Sequence, residues 1–161
     1  MMNSIGLLPL SADRAEKYRL LLPMAESLMD AGAGSVANLS NFSALIHYAF
    51  GFHWVGFYLV RGNELVLGPF QGPPACTRIA FGKGVCGAAW ERNEVVVVPD
   101  VHQFPGHIAC SALSKSEIVL PIRKDGTVIG VLDMDSERSD DFSEADVEGL
   151  LSLINVLVPV L

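Results

Sequence analysis

The sequence predicts an α+β fold: a central antiparallel β-sheet with helices packed on one face and a ligand pocket under loops on the other. Three observations predict it. Apolar residues recur at helical spacing near both ends of the chain, in residues 11–34 and 141–161. Between these ends the pattern changes to short runs of β-branched and aromatic residues. The turn signals "RGNE" and "KDGT" join such runs into hairpins, which build an antiparallel sheet.

The N-terminal part predicts two helices. In "SADRAEKYRLLLPMAESLMDAGAG" either Ser11 or Asp13 is suited to cap the first helix, and Pro23 is expected to bend or restart it. A Gly-rich break follows, and "SVANLSNFSALIHYAF", residues 35–50, predicts the second helix.

The middle of the chain predicts hairpins separated by a short helix. "HWVGFYLV" pairs with "LVLGPF", "QGPPACTR" is a loop, and "GKGVCGAAWERN" is a tight turn followed by a helix. "EVVVVPD" predicts a buried strand that Pro99 ends. "SEIVLPIR" and "VIGVLDMDS" form the second hairpin around Asp125-Gly126.

The C-terminal segment "DFSEADVEGLLSLINVLVPVL" predicts the last helix. Ser143 and Asp146 have the spacing of a capping box at its start. The helices at both ends and the hairpins between them make one layered domain over residues 1–161, a length that fits a single core.

Composition excludes several classes of partner. Hydrophobic residues make up 50% of the chain and charged residues 18%, which is typical of a globular domain. A net charge of -7 argues against nucleic acid and anionic membranes, because both require clustered Lys and Arg. No apolar run is long enough to span a bilayer, and the N-terminus lacks a secretory pattern. We therefore expect a cytoplasmic protein whose three cysteines are thiols at rest, so that any disulfide is transient.

Three acids are predicted to converge at one end of the second hairpin. Asp133 and Asp135 alternate along an apolar strand and therefore point to the same face. Glu117 lies on the partner strand, roughly opposite them. One interpretation is a solvated strand end. The other is a site for a cation such as an ammonium group, or for a proton shared between acids.

The three cysteines also allow two interpretations. An isolated cytosolic cysteine is usually a small buried hydrophobe. However, Cys86 lies at a predicted helix start, where amide dipoles favour a thiolate, whereas Cys76 and Cys110 lie in loops that could move to form a disulfide. A zinc site is a third possibility, because His102 and His107 could join the cysteines as ligands. The absence of a Cys-x-x-Cys pair argues against zinc.

Trp54 and Tyr58 are four residues apart on a predicted strand and therefore share a face. They could be core residues, or they could form an apolar wall of a pocket near the acids.

Taken together, the chain resembles the free methionine-(R)-sulfoxide reductase family, which is built on a GAF domain. The similar segments are "ANLSNFSAL", "WVGFYL", "ACTRIAFGKGVCGAAW", "PDVHQFPGHIACSALSKSEIVLPI" and "GVLDMDS". The three cysteines have the spacing of the family, ten and then twenty-four residues apart. The resemblance implies a six-stranded antiparallel sheet, a homodimer, reduction of free methionine-(R)-sulfoxide, thioredoxin as reductant, and no metal or organic cofactor.

The residues fit that chemistry, in which a thiolate attacks the sulfoxide sulfur while an acid protonates the oxygen. Glu117 and Asp135 are the candidate acids, and with Asp133 they could also hold the substrate ammonium group. Helix-start amides in "GVCG" could bind its carboxylate. Local electrostatics favours Cys86 as the nucleophile.

The resemblance instead favours Cys110 as the nucleophile, with Cys76 as resolving thiol and Cys86 as the alternative. We choose Cys110, because the proton donor must lie beside the attacked sulfur. The alternative function is a non-catalytic GAF-type domain that senses a small ligand.

Overall fold

The computed structural model describes residues 8–9, 11–108 and 110–161 and has the predicted α+β architecture. The helices are α1 (Arg14–Leu28), α2 (Ser35–Phe50), α3 (Gly84–Arg92) and α4 (Glu144–Leu157). The strands are β1 (Trp54–Arg61), β2 (Glu64–Gln71), β3 (Arg78–Ala80), β4 (Val96–Val98), β5 (Ser116–Lys124) and β6 (Thr127–Ser136). They form one six-stranded sheet in the order β3-β2-β1-β6-β5-β4, and all neighbours are antiparallel.

One face of the sheet packs on α1, α2 and α4. Strand residues such as Val55, Phe57 and Leu132 meet helix residues such as Phe42 and Leu150 in one buried cluster. Burial of this apolar surface is the main stabilising contribution to the fold. This arrangement confirms the prediction of terminal helices on one face.

The opposite face of the sheet carries a smaller buried cluster and the loops that enclose the pocket. Tyr58, Val119 and Val131 from the central strands pack there against Val85 and Ala89 of α3. The sheet is therefore a middle layer, and its alternating side chains separate a helix-packed core from the cavity side.

The structure confirms the helix signals in detail. The Asp13 carboxylate accepts a hydrogen bond from the Glu16 amide at 2.8 Å, which identifies it as the cap of α1. The capping box of α4 is present, with the Ser143 amide donating to the Asp146 carboxylate at 2.8 Å. Pro23 does not restart the helix, because α1 is continuous from Arg14 to Leu28. Its side chain is exposed, where water can satisfy the carbonyl that loses its amide partner.

The structure shortens one predicted strand and adds another. The strand predicted in residues 94–100 forms and ends before Pro99, but β4 has only three residues and lies at an edge; Val96 and Val98 are buried and Val97 is 37% exposed. Strand β4 pairs with β5 alone, so one side of it remains open. The short edge strand β3 begins at the end of the predicted loop and extends beyond it, since three residues are too few to produce a periodic pattern.

The second hairpin has the predicted turn. Asp125 and Gly126 have φ angles of 52° and 77°, the left-handed pair that a two-residue hairpin turn requires. The turn pairs Lys124 with Thr127, and a register shift between Ile122 and Arg123 then places Glu117 opposite Asp135, which brings the acids together. None of the helices within the described residues is long and apolar enough to cross a membrane.

Helices α1 and α4 approach closely at Gly149. A Cβ atom added there would lie 2.1 Å from the Tyr18 ring, which is itself buried. The buried Asp146 carboxylate accepts from the Tyr18 hydroxyl at 2.9 Å and from Arg14 at 2.7 Å, so the two helices cannot simply move apart.

We expect Gly149→Ala to lower the free energy of unfolding by about 1–3 kcal/mol, because the methyl group would overpack this contact. Urea denaturation of the wild type and the variant measures the change. Ser152→Ala, at an exposed position of the same helix, is the matched control and should change stability by less than about 0.5 kcal/mol. Equal stability of Gly149→Ala and the wild type would contradict the close packing of α1 on α4.

Candidate active site

Strand pairing brings the three predicted acids together on the cavity face. Glu117 of β5 lies directly opposite Asp135 of β6, and Asp135 also lies opposite Trp54 of β1. Asp133, two residues before Asp135, shares their face. Glu117 and Asp133 are only 6% and 7% exposed, so the interpretation as a solvated strand end is wrong for these two residues.

Burial and the charges of neighbouring acids favour the protonated forms of Glu117 and Asp135. The pKa of Glu117 lies well above its ordinary value, first because of burial and then because of the charges of Asp133 and Asp135. The pKa of Asp135 is also raised well above its ordinary value, by burial and by the charge of Asp133. Both can therefore be neutral acids at physiological pH.

Asp133 is the member of this cluster that ionises first. Burial raises its pKa to about 6, while hydrogen bonds from the Cys86 thiol and the Glu117 carboxyl group oppose the rise. One of its oxygens, Oδ1, is buried and has no hydrogen-bond partner. A carboxylate that is ionised near neutral pH and has an unused buried oxygen is suited to bind a cation.

Cys110 and Cys76 form a disulfide bond with a Cα–Cα distance of 5.8 Å. It joins the loop before β5 to the loop between β2 and β3. Cys110 is exposed and borders the same cavity as the three acids, whereas Cys76 is half-buried. The disulfide therefore links the two cysteines that the sequence places in loops.

Cys86 is a buried free thiol, and the expectation that it is the easiest thiolate is wrong. Its pKa lies well above the ordinary value, because burial and the facing charges of Asp133 and Glu117 disfavour the charged form. Cys86 lies in the first turn of α3, but burial and the two facing acids outweigh the favourable helix dipole.

The zinc interpretation built on the three cysteines and two histidines is also wrong for this state of the protein. Cys76 and Cys110 are bonded to each other and offer no thiolate. His102 is exposed and does not border the cavity.

The aromatic pair forms a wall of the cavity and also positions the Cys76 loop. The rings of Trp54 and Tyr58 stack with centroids 5.9 Å apart. The Trp54 indole donates a hydrogen bond to the Pro73 carbonyl at 3.1 Å, and the Tyr58 hydroxyl donates to the Cys76 carbonyl at 2.9 Å. Trp54 and Tyr58 are therefore both buried core residues and a wall of the pocket, so both interpretations are correct.

The N-terminus of α3 closes another side of the cavity. Gly84, Val85 and Cys86 border it, and no side chain caps the helix. The first amides of a helix have no intrahelical acceptor, so they can bind an anion such as a carboxylate.

Sequence reasoning missed two histidines as supports of the site. His107 borders the cavity, with its Nε2 3.7 Å from Oε2 of Glu117, although the sequence suggested it only as a zinc ligand. His53 contacts the Ser111 hydroxyl at 3.0 Å through Nε2 and Glu137 at 3.0 Å through Nδ1, which holds the loop next to Cys110. The distance along the chain between His53 and Ser111 left no local signal for this contact.

Comparison with known proteins identifies the same fold and chemistry. The family model for the GAF domain matches residues 37–157. "GAF domain-containing protein A" of Dictyostelium discoideum is 54% identical over 145 residues, which cover 89% of this chain and 92% of that protein. "Free methionine-R-sulfoxide reductase" of Escherichia coli is 46% identical over 150 residues, which cover 92% of this chain and 91% of that protein.

A solved structure shows the same similarity in three dimensions. The free methionine-R-sulfoxide reductase of Neisseria meningitidis, solved in complex with its substrate, superposes with a TM-score of 0.88 at 52% identity. The match covers 93% of this chain and 91% of that chain.

The raised pKa values predict that these acids destabilise the folded protein as pH rises. A carboxyl group with a raised folded pKa binds its proton more tightly when folded, so stability falls between its unfolded and folded pKa values. For Asp133 this window runs from 3.8 to about 6. We therefore expect Asp133→Asn to be more stable than the wild type at pH 7, by about 1–3 kcal/mol, and to lose this advantage at pH 4.

Denaturant unfolding at pH 4, 5, 6 and 7 measures this difference. Glu148→Gln, which removes an exposed carboxyl group from the opposite side of the sheet, is the control and should show little pH dependence relative to the wild type. A constant difference in stability between Asp133→Asn and the wild type across this range would show that folding does not raise the pKa of Asp133.

Proposed function

The chain belongs to the GAF domain family and within it to the free methionine-R-sulfoxide reductases, and we propose that it reduces free methionine-(R)-sulfoxide to methionine. One observation carries this proposal. Cys110 borders the same cavity as three acids with raised pKa values, and it is disulfide-bonded to Cys76. A nucleophilic thiol, proton donors and a second thiol are the groups that sulfoxide reduction requires.

Substrate binding can be assigned to groups with complementary chemistry. Asp133, with its unused Oδ1, is suited to accept the ammonium group, together with Glu117 and Asp135. The free amides at the start of α3 are suited to the substrate carboxylate. The rings of Trp54 and Tyr58 offer an apolar surface to the methyl group on sulfur.

In the first chemical step the Cys110 thiolate attacks the sulfoxide sulfur. A proton from Glu117 or Asp135 goes to the sulfoxide oxygen. The oxygen then moves to Cys110 as a sulfenic acid while the substrate sulfur–oxygen bond and the new sulfur–sulfur bond both break, and the electron pair stays on the methionine sulfur. Methionine is the reduced product and Cys110 is oxidised. The raised pKa values of these two acids support the assignment, because a donor must hold its proton at neutral pH.

In the second step the Cys76 thiol attacks the sulfenic acid sulfur and releases water, which forms the Cys76–Cys110 disulfide. An external dithiol then reduces this bond by thiol–disulfide exchange and becomes oxidised itself. Cys86 is the alternative resolving thiol, and its burial and raised pKa argue against that role in this conformation.

The alternative function, a GAF-type sensor of a small ligand, fits these features less well. A sensor does not require a nucleophile beside proton donors, nor a disulfide at the edge of its pocket. A cavity with three acids is also a poor site for a phosphate-containing ligand, since like charges repel.

Several further properties rest on the sequence composition or on the family resemblance. We propose a single domain over residues 1–161, a homodimer, thioredoxin as the reducing dithiol, no cofactor, and a cytoplasmic location where thiols are kept reduced. Neither nucleic acid nor a membrane is proposed as a partner.

Single-turnover measurements on cysteine variants test the assigned roles. We expect Cys110→Ser to lower the rate of methionine formation by more than about 10³-fold, because it removes the nucleophile. Cys76→Ser should form one equivalent of methionine per chain and then stop as a sulfenic acid. Cys86→Ser is the matched control and should continue to turn over with reductant.

If Cys110→Ser formed one equivalent of methionine in a single turnover, the assignment of Cys110 as the nucleophile would be contradicted. Trapping with dimedone, followed by mass spectrometry, should locate the sulfenic acid of the Cys76→Ser protein on Cys110. Dimedone on Cys86 in that variant would instead make Cys86 the attacking thiol.

Turnover coupled to thioredoxin, its reductase and NADPH tests the substrate and the reductant. We expect free methionine-(R)-sulfoxide to be reduced, and an N-acetylated methyl ester to lose at least about 100-fold in kcat/KM. The blocked compound has no ammonium group, so it leaves the buried acids without their partner. Equal kcat/KM for free and blocked substrates, or for the two epimers, would contradict the proposed binding mode.

A further inference from the structure

We propose that Cys86, Glu117 and Asp133 form a binding site for a thiophilic divalent cation such as Zn²⁺, and that this cation competes with the substrate for the cavity. Metal binding itself does not depend on the proposed reductase activity. The competition does depend on it, because the proposed function places the substrate ammonium group beside the same carboxylates.

The three donor atoms already lie close together although they come from three elements. The Cys86 sulfur of α3 and one carboxylate oxygen each from Glu117 of β5 and Asp133 of β6 all lie within 4.8 Å of one another. In a tetrahedral zinc site, bonds of about 2.0–2.3 Å separate the ligand atoms by about 3.5 Å. Side-chain movements of about 1 Å are therefore sufficient to bring the donors to one ion.

An unpartnered oxygen is the second observation that supports a cation here. Oδ1 of Asp133 is buried and makes no hydrogen bond. A buried acceptor without a partner destabilises the fold, and more strongly when it is charged. A bound cation would remove this cost and also the repulsion between Asp133 and Glu117.

A histidine lies at the edge of the cluster, outside the three donor groups that are within 4.8 Å of one another. Nε2 of His107 lies 3.7 Å from Oε2 of Glu117, and its side chain also borders the cavity. A neutral imidazole is a common zinc ligand, so His107 can become the fourth ligand if its side chain moves toward the ion, and a water molecule can take that position otherwise.

The donor set selects the type of cation. Thiolate and imidazole ligands favour Zn²⁺ and similar ions, whereas Mg²⁺ and Ca²⁺ prefer sites made only of oxygen atoms. Binding is a simple exchange, in which the ion displaces the thiol proton of Cys86 and any proton on the carboxyl groups into solvent. No oxidant or reductant is involved.

The disulfide makes a clean test possible. With Cys76 and Cys110 bonded to each other, Cys86 is the one free thiol among the three cysteines of the chain. Titration of the oxidised protein with Co²⁺, a spectroscopic substitute for Zn²⁺, should produce a sulfur-to-metal absorption band in the near ultraviolet. The band should saturate at one ion per chain, disappear on addition of Zn²⁺, and persist in excess Mg²⁺.

Variants separate this site from surface binding. We expect Cys86→Ser to abolish the band and to weaken Zn²⁺ binding, measured by calorimetry, on the order of 100-fold. Asp133→Asn should keep the thiol and the fold but weaken Co²⁺ binding, whereas Glu148→Gln, on the other side of the sheet, should bind like the wild type. Circular dichroism checks that each variant is folded.

A band that survives in Cys86→Ser overturns the proposal. So does the absence of a band in the oxidised wild type, or a band that forms only after reduction of the disulfide, which would place the ion on Cys76 and Cys110. These results would leave the reductase activity untouched, because that activity is measured without added metal.

Competition is tested with the same oxidised protein. Saturating free methionine sulfoxide should raise the apparent dissociation constant for Co²⁺ at least about tenfold if both ligands occupy the cavity. An unchanged constant would overturn the competition.

Discussion

The arrangement of the cavity depends on one costly feature, the placement of three carboxyl groups on the same buried face of a sheet. Glu117, Asp133 and Asp135 come from adjacent strands, and two of them are almost fully buried. Burial raises the pKa values of all three, and the charge of Asp133 raises those of Glu117 and Asp135 further. The cluster therefore holds protons that a reaction could use, and it attracts cations that would relieve the repulsion.

The rest of the fold offsets the free-energy cost of burying these acids. The sheet presents its opposite face to α1, α2 and α4, and that large apolar core can offset the cost of burying acids on the cavity side. The paired central strands β1, β6 and β5 hold the acids and the aromatic wall in a fixed register. The cysteines of the disulfide, in contrast, lie in loops, which can move between thiol and disulfide states.

Part of the site could be predicted because strand geometry is periodic. The alternation of Asp133 and Asp135 predicts that the two share a face, and the turn at Asp125-Gly126 places Glu117 near them on the partner strand. The register shift between Ile122 and Arg123, which the turn does not predict, puts Glu117 opposite Asp135 and on the same face. The behaviour of Cys86 could not be predicted in this way. Its position at a helix start suggests a reactive thiolate, but the facing acids belong to β5 and β6, far away in the chain.

The sequence by itself determined the α+β architecture, the hairpins, the helix caps and the residues able to perform thiol chemistry, because each depends on local periodicity or residue type. Only the tertiary structure decided which thiol is buried and which histidine borders the acids. Burial and such contacts depend on packing between elements, and no local pattern records which distant segments meet. Burial then sets the charge of each group, so the chemistry of the cavity follows from the fold.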